Sequence, residues 1–133
     1  MEVNLHIYSG IGNLIAIVDG IRTDLHISSK EVDHVYNFHG VNFDQLIILL
    51  PPSDPQNDLD VKIFNNDGSI ASNCINGARC VGRFIKDNSL LASNKFKVKT
   101  DGGLWELDNI ENNIFSAAFE AKAEIITKKV EAK

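Results

Sequence analysis

The sequence has no cluster of lysine and arginine and no long apolar run, which excludes two classes of partner. Its 133 residues include 13 basic and 18 acidic side chains, giving a net charge of −5 and a pI near 5.2. Binding to nucleic acid or to an anionic membrane requires concentrated positive charge, so we expect neither partner. No apolar run approaches the roughly 20 residues of a membrane helix. No basic segment followed by an apolar one opens the chain, so we do not expect secretion.

Cysteine is scarce, and the histidines are scattered. The two cysteines, Cys74 and Cys80, lie six residues apart in one helical pattern. At that spacing they cannot easily reach the roughly 5.5 Å Cα separation that a disulfide prefers. No second cysteine pair completes a zinc site. No metal-ligand spacing links the four histidines, His6, His26, His34 and His39. We therefore expect a cytoplasmic protein without a structural metal or disulfide.

The residues that are present form patterns typical of one globular domain. Apolar residues make up 44% and charged residues 23% of the chain, and the length suits a single core. A helix is predicted after an N-cap at Ser28 or Ser29. The first strand would bury Leu5 and Ile7 on one face. Two-residue alternation or short apolar runs predict strands at Val3–Ile7, Leu14–Val18, Leu46–Leu50, Val61–Ile63, Phe96–Val98, Trp105–Leu107 and Phe115–Phe119.

A turn, a thiol and a helix follow one another between residues 65 and 87. The run Asn66-Asp67-Gly68-Ser69 is a strong turn signal, because Asn, Asp and Gly tolerate unusual backbone angles. Helical spacing then predicts a helix from residue 76 to about 87, with a polar stripe at Arg79, Arg83 and Lys86. Cys74 would lie at or just before its first turn, where free N–H groups lower a thiol pKa below the ordinary ~8.5. Cys80 would be an inert core thiol.

The pattern Asn66-Asp67-Gly68-Ser69-x4-Cys74-x-Asn76-Gly77-Ala78-Arg79 closely resembles the signature of the diaminopimelate epimerase family. Two further segments, Gly10-Ile11-Gly12-Asn13 and Phe43-Asp44-Gln45, agree in order and spacing. The resemblance covers only the N-terminal half of such an enzyme. It implies an α+β half-domain over residues 1–120, in which a bent, mostly antiparallel sheet wraps around one central helix, Asn76 to about Asp87. Residues 121–133 would form a strand or a linker towards a second half.

Enzymes of this family interconvert LL- and meso-diaminopimelate, a step towards lysine and peptidoglycan, without pyridoxal phosphate or any other cofactor. Two cysteines act on opposite faces of the α-carbon, one as thiolate base and the other as thiol acid. The resemblance implies that Cys74 is the first of this pair. It also implies that the N–H groups at the helix start hold the substrate carboxylate. The implied substrate-binding residues are Asn13, Gln45, Asn65, Ile75 and Asn76.

Several positions depart from the family pattern. The second catalytic cysteine would belong to the missing C-terminal half, and Cys80 cannot replace it because it lies further along the same helix as Cys74. Ile75 stands where the family has Gly, which permits close approach of the backbone. Leu14 and Asn42 replace a usual Asp and Gly. We therefore expect the isolated chain to be inactive, with the C-terminal half of an epimerase or a second copy of itself as its partner.

Other interpretations stay open at this stage. A non-catalytic binding or interaction module could keep the fold and the pocket residues without the reaction. A different substrate is also compatible with the resemblance, since proline and isochorismate-type isomerases are distant relatives. Asn13 could serve only to make a tight turn. A phosphate-binding loop at Gly10–Gly12 is disfavoured, because no Lys-Ser/Thr pair and no helix follow.

Overall fold

The fold is built from strands and helices that alternate through the first two thirds of the chain. The computed structural model describes residues 4–10, 12–23, 27–38, 42–71, 75–111, 114–120 and 125–131. In chain order, the elements within these ranges are β1 (His6–Gly10), β2 (Asn13–Asp19), α1 (Ser29–Phe38), β3 (Gln45–Leu50), β4 (Leu59–Asn65), α2 (Ile75–Asp87), β5 (Lys95–Thr100), β6 (Gly103–Glu111), β7 (Ile114–Glu120) and β8 (Ile125–Glu131).

All the described strands belong to one sheet, in which each strand lies beside its neighbours in sequence. Five of the seven pairs are antiparallel, whereas β2–β3 and β4–β5 are parallel. A parallel pair needs a crossover connection, and α1 and α2 lie in these two crossovers. Strands from both halves of the sheet, β1 and β2 on one side and β6 and β7 on the other, contact α2. The sheet is a half-barrel around α2, which confirms the predicted α+β half-domain.

The central strands are buried on both faces, because each helix covers one face. Strands buried in this way read as continuous apolar runs, which explains the sequences of β2 and β3. Between the sheet and α2 lies the inner core, which includes Ile15, Ile17, Ile47, Leu49, Val61, Ile63, Ala78, Cys80, Val81, Phe84, Ile85, Trp105 and Leu107. Between the sheet and α1 lies the outer core, which comprises Ala16, Val18, Val32, Phe43, Leu46, Ile48 and Phe64.

The helix α2 contributes the largest share of the inner core from a single element. Phe84 and Ile85 are almost fully buried, and burying a side chain of this size contributes about 1.5–3 kcal/mol. The helix ends at Asp87 with a defined cap. The N–H of Leu90 donates to the carbonyl of Ile85 (3.0 Å), and the Asn88 side chain donates to the carbonyl of Phe84 (2.9 Å). These bonds satisfy carbonyl groups that the last turn leaves unpaired.

The helix α1 begins with a capping box. The Oγ of Ser28 accepts from the N–H of Glu31 (3.3 Å), and the N–H of Ser28 donates to the Glu31 carboxylate (3.1 Å). This confirms the predicted N-cap at Ser28. Val32 and Tyr36 then pack in or against the outer core. The Tyr36 ring meets the Phe43 ring edge to face, with centroids 5.5 Å apart.

The predicted buried face of the first strand is wrong at Ile7, whereas Leu5 packs against the outer core. His6 and Tyr8 face α2, and their rings pack edge-on to Phe84 with centroid distances of 5.0 and 6.2 Å. Ile7 points to the opposite side and is 45% exposed. The aromatic rings fill the space beside Phe84, while the Tyr8 hydroxyl still donates to Asp87 (3.1 Å). An amphipathic ring can bury its body and keep its polar tip satisfied, so simple apolar alternation misassigned the face.

The C-terminal part of the chain continues the antiparallel meander. Residues 125–131 form β8, which pairs with β7. Of the two alternatives predicted for residues 121–133, a strand or a linker, this part is a strand. A turn predicted at residues 112–113 lies outside the described residues. The division of the chain at residue 120 stays a prediction. In the ranges that the structure describes, no helix is long and apolar enough to cross a membrane.

Gly68 is a point of close contact between the 66–69 turn and α1, which gives a testable prediction. Its φ is +88°, and a Cβ there would overlap the backbone carbonyl oxygen of Ser29. Gly12 has a similar φ of +84° but open space around it. We expect Gly68→Ala to lower the free energy of unfolding by about 2–5 kcal/mol, through strain and overpacking together. Gly12→Ala should lower it only by the ~1–2 kcal/mol cost of the left-handed backbone.

Urea unfolding of both variants and of the native chain measures the difference. Gly12→Ala is the matched control, since it carries the same backbone strain without the steric overlap. Equal losses for the two variants would contradict the close contact between the turn and α1.

Candidate functional site

Three polar residues on neighbouring strands meet at one end of the sheet. In the parallel pair β2–β3, Ile15 lies opposite Gln45, and in the antiparallel pair β3–β4, Gln45 lies opposite Asn65. The starts of β2 and β3 and the end of β4 therefore share one edge. Asn13 is the first residue of β2, Gln45 the first of β3 and Asn65 the last of β4. The fold thus brings together three of the residues predicted from the sequence.

The same three side chains lie on the face of the sheet that α2 covers. Side chains two residues apart in a strand share a face. The neighbours two positions further into each strand, Ile15, Ile47 and Ile63, all belong to the inner core. The three polar side chains are themselves half-buried. They form the polar end of a face that is otherwise apolar.

The start of α2 lies at the same end of the sheet, because of the chain topology. Since β5 runs parallel to β4, α2 must carry the chain back from the end of β4 towards its start. The far end of α2 agrees with this direction, because Asn88 accepts from the Arg22 guanidinium (3.3 Å), just beyond the opposite end of β2. The first turn of α2 therefore lies at the same end of the sheet as Asn65.

The starts of β2 and β3 are held together by Asp44. Its carboxylate accepts from the N–H of Leu14 (2.7 Å), and its own N–H donates to the carbonyl of Leu14 (2.8 Å). Both bonds use the backbone of residue 14, so they do not require the aspartate that the family usually has there. Next to Asp44 in the sequence, the Nε2 of Gln45 donates to the Oδ1 of Asn65 (3.3 Å).

The predicted turn after β4 is present and is built around Asp67. The N–H of Gly68 donates to the carbonyl of Asn65 (2.9 Å), and the N–H of Asn65 donates to the carbonyl of Ser69 (2.8 Å). One carboxylate oxygen of Asp67 accepts from both the hydroxyl (2.6 Å) and the N–H (2.8 Å) of Ser69. These two hydrogen bonds hold the pKa of the Asp67 carboxyl below its ordinary value, and the bond from the Ser69 hydroxyl has the larger effect. Asp67 is therefore a carboxylate at neutral pH.

The outer core holds this turn in place. The Nδ2 of Asn66 donates to the carbonyl of Phe43 (3.3 Å), and Phe43 is fully buried in the outer core. The contact of Gly68 with Ser29 adds a second anchor. Sequence reasoning identified the turn but missed these anchors, because both contacts join segments that are distant in the chain.

Two of the remaining predicted residues lie at the start of α2. Ile75 is the first residue of the helix and Asn76 the second, and Asn76 is half-buried. Cys74 directly precedes the helix in sequence and lies outside the described residues, as does the side chain of Ile75. The position of Ile75 agrees with the predicted helix start, since helix bounds vary by one or two residues. The role of Cys74 as the reactive thiol stays a prediction.

Arg79 differs from its sequence-based prediction. It is only 5% exposed, so the polar stripe expected at Arg79, Arg83 and Lys86 is wrong at its first position. Its Nε and Nη1 are buried and have no hydrogen-bond partner in the described part of the chain. Removing a charge from water is unfavourable unless a partner compensates it. A buried cation in the second turn of α2 therefore adds to the positive potential of the helix N-terminus.

Comparison with known proteins identifies the family to which the chain belongs. The family model of diaminopimelate epimerase matches residues 5–117. The chain belongs to the diaminopimelate epimerase family. Diaminopimelate epimerase of Stutzerimonas stutzeri is 44% identical over 100 residues, which are 74% of this chain but 36% of that protein. The chain therefore spans about a third of the length of this curated relative, and it matches the N-terminal half of such proteins.

Solved structures of low sequence identity share the fold. A phenazine biosynthesis protein of the PhzF family from Bacillus anthracis superposes with a TM-score of 0.66 at 18% identity, covering 90% of this chain and 40% of that one. A hydroxyproline epimerase from Agrobacterium vitis, solved with trans-4-hydroxy-L-proline, gives 0.63 at 10% identity, covering 96% of this chain and 48% of that one. In both, the match covers less than half of the longer chain. This chain therefore shares its half-domain fold with both of these structures.

A depression lies away from the epimerase-family residues, over β5 and β6. It encloses about 440 Å³, and charged side chains of both signs line it. Lys95 and Lys97 lie opposite Asp108 and Glu106 on the neighbouring strand. Such cross-strand pairs are typical of a solvated sheet face. Among the residues that the structure describes, none predicted from the family signature lines this depression. Over the described ranges, no three potential metal ligands cluster.

The two cysteines of this epimerase-family chain should differ in reactivity. Cys80 is 4% exposed within the inner core, and Cys74 precedes a helix start, where a thiolate is favoured. We expect iodoacetamide to alkylate Cys74 in the folded protein and to leave Cys80 unmodified. Mass spectrometry of the digested chain at several time points measures both rates.

Cys74→Ser and Cys80→Ser are the controls, and a urea-unfolded sample gives the rate of an accessible thiol. Faster modification of Cys80 than of Cys74 in the folded native chain would contradict the assignment.

Proposed function

We propose that this chain forms the N-terminal half of a diaminopimelate epimerase site and binds the amino-acid end of diaminopimelate. The observation that carries the proposal is the convergence of Asn13, Gln45 and Asn65 at the sheet end where α2 begins. Sheet register and family membership are separate lines of support, since the register follows from the backbone and the membership from the sequence.

The proposed binding mode follows from the hydrogen-bonding capacity of these groups. Side-chain amides of Asn and Gln offer both donors and acceptors, which suits a ligand that carries an ammonium and a carboxylate. The first N–H groups of α2, at Ile75 and Asn76, have no acceptor within the helix and would bind the carboxylate. The buried guanidinium of Arg79 adds positive charge on the same helix.

The proposed reaction needs groups on both faces of the α-carbon. Cys74 as a thiolate would take the α-proton, breaking the C–H bond and forming S–H, while nearby dipoles stabilise the carbanion. A second acid must return a proton from the opposite face. Cys80 cannot supply it, because it is enclosed in the inner core. We propose that the second acid comes from the C-terminal half of an epimerase, or from a second copy of this chain, in a cofactor-independent cytoplasmic enzyme of lysine biosynthesis.

A second candidate function is a non-catalytic module that binds diaminopimelate or another protein. The observation in its favour is Ile75, the first residue of α2, where the family usually has glycine. A branched side chain at this position limits how closely a ligand carboxylate can approach the helix N–H groups, which must come within ~3 Å of it. The two candidates share the binding residues and differ only in turnover.

The isolated chain should not epimerise diaminopimelate, because one base cannot act on both faces. The measurement is the change in optical rotation of LL-diaminopimelate with the purified chain, because exchange of the α-proton in D₂O, followed by NMR, needs only one base. Turnover at rates usual for enzymes, ~1–10³ s⁻¹, by the native chain alone would contradict the half-site.

Addition of the C-terminal half of the Stutzerimonas stutzeri enzyme separates the two candidates. An enzyme half should then catalyse exchange that Cys74→Ser abolishes. A binding module should release heat on titration with diaminopimelate but give no exchange. Ile75→Gly is the matched variant, and exchange that appears only with glycine would identify the branched side chain as the obstacle.

A further inference from the structure

Four side chains at the candidate site form a continuous chain of hydrogen bonds. The hydroxyl of Ser69 donates to the Oδ1 of Asp67 (2.6 Å). The Nδ2 of Asn65 donates to the Oγ of Ser69 (3.0 Å). The Nε2 of Gln45 donates to the Oδ1 of Asn65 (3.3 Å). This series of hydrogen bonds therefore starts at the carboxylate in the turn and ends at the side-chain amide on β3.

The carboxylate of Asp67 determines which group donates and which accepts in each of these hydrogen bonds. An ionised carboxylate only accepts hydrogen bonds, so Ser69 must give its single proton to Asp67. The Ser69 oxygen is then left to accept, and only the Nδ2 end of Asn65 can donate to it. The Oδ1 end of Asn65 consequently faces Gln45, which must offer its Nε2 end.

This direction matters because the two ends of an amide have nearly the same shape. An Asn or Gln side chain can turn over by 180° with little steric change, so its partners decide which end faces which way. The Asp67 side chain is itself fixed, because the same oxygen accepts from the backbone N–H of Ser69 (2.8 Å). A fixed acceptor at one end thus orients both amides.

We propose that Asp67 and Ser69 are positioning residues, which fix the orientation of the Asn65 and Gln45 amides towards an amino-acid ligand. The ligand part of this proposal depends on the proposed function. An α-carboxylate only accepts and an α-ammonium only donates, so each ligand group requires one particular end of each amide. With these hydrogen bonds intact, Asn65 turns its donor end towards Ser69 and its acceptor end towards the Nε2 of Gln45.

Ser69→Ala and Ser69→Thr are the matched pair that tests the orientation. Alanine removes the hydroxyl, whereas threonine keeps it in the same place. In ¹⁵N-labelled native chain without ligand, the Nδ2 protons of Asn65 should exchange with solvent more slowly than those of the exposed Asn94. Ser69→Ala should abolish this protection and shift the Gln45 side-chain signal, and Ser69→Thr should keep both native. The backbone amide signals of Asn65 and Gly68, whose N–H groups make the hydrogen bonds of the turn, report whether it is still formed.

Asp67→Asn tests the origin of the direction. An amide at residue 67 can present either its oxygen or its NH₂ group to Ser69, so the Asn65 signals should broaden or double. Unchanged side-chain signals in Ser69→Ala or in Asp67→Asn would overturn the proposal. Loss of protection in Ser69→Thr as large as in Ser69→Ala would also overturn it.

Binding measurements separate this proposal from the proposed function. Calorimetric titration with meso-diaminopimelate should show roughly tenfold weaker binding to Ser69→Ala and native-like binding to Ser69→Thr, since one misdirected amide leaves a polar group unpaired. Equal affinity for native chain and Ser69→Ala would overturn the ligand part of the proposal. Absence of binding to the native chain, with the NMR differences present, would contradict the proposed function and leave the orientation result standing.

Discussion

The register of β2, β3 and β4 is the constraint on which the candidate site depends. Parallel pairing sets the start of β2 beside the start of β3, and antiparallel pairing returns the end of β4 to the same edge. A slip of one residue would turn Gln45 or Asn65 to the outer face. Because β2 and β3 are apolar on both faces, hydrophobic burial alone would tolerate such a slip. The two hydrogen bonds between Asp44 and the backbone of Leu14 favour the observed register of β2 and β3.

Local sequence signals were sufficient for most of the strands and helices, whereas the candidate site residues were taken from the family resemblance. Turn chemistry at residues 66–69 and helical spacing after it depend on neighbouring residues alone. Side-chain direction was predictable where one face is uniformly apolar, but not for Tyr8 or Arg79, because their burial depends on how the sheet curls around α2. The role of Gly68 was predictable only in part. Its backbone angle follows from the turn, whereas its contact with Ser29 joins segments far apart in the chain.

The charge distribution is compatible with binding of an anionic group, although the net charge of the chain is negative. The net charge is −5, yet the N-terminus of α2 carries a partial positive charge, and the buried guanidinium of Arg79 belongs to the same helix. Local potential governs binding at short range, and net charge governs long-range attraction. The same end contains amides that offer both donors and acceptors. The arrangement suits one end of a zwitterionic amino acid, which is the ligand that we propose.

The most direct test of the account is a map of where diaminopimelate contacts the chain. Titration of ¹⁵N-labelled protein with meso-diaminopimelate, followed by heteronuclear NMR, reports backbone and side-chain amides together. We predict saturable shifts for the Gln45 and Asn65 side chains and for the backbone N–H of Asn76. Shifts confined to the depression around Lys95 and Lys97, or no saturable shift at the start of α2, would contradict the account.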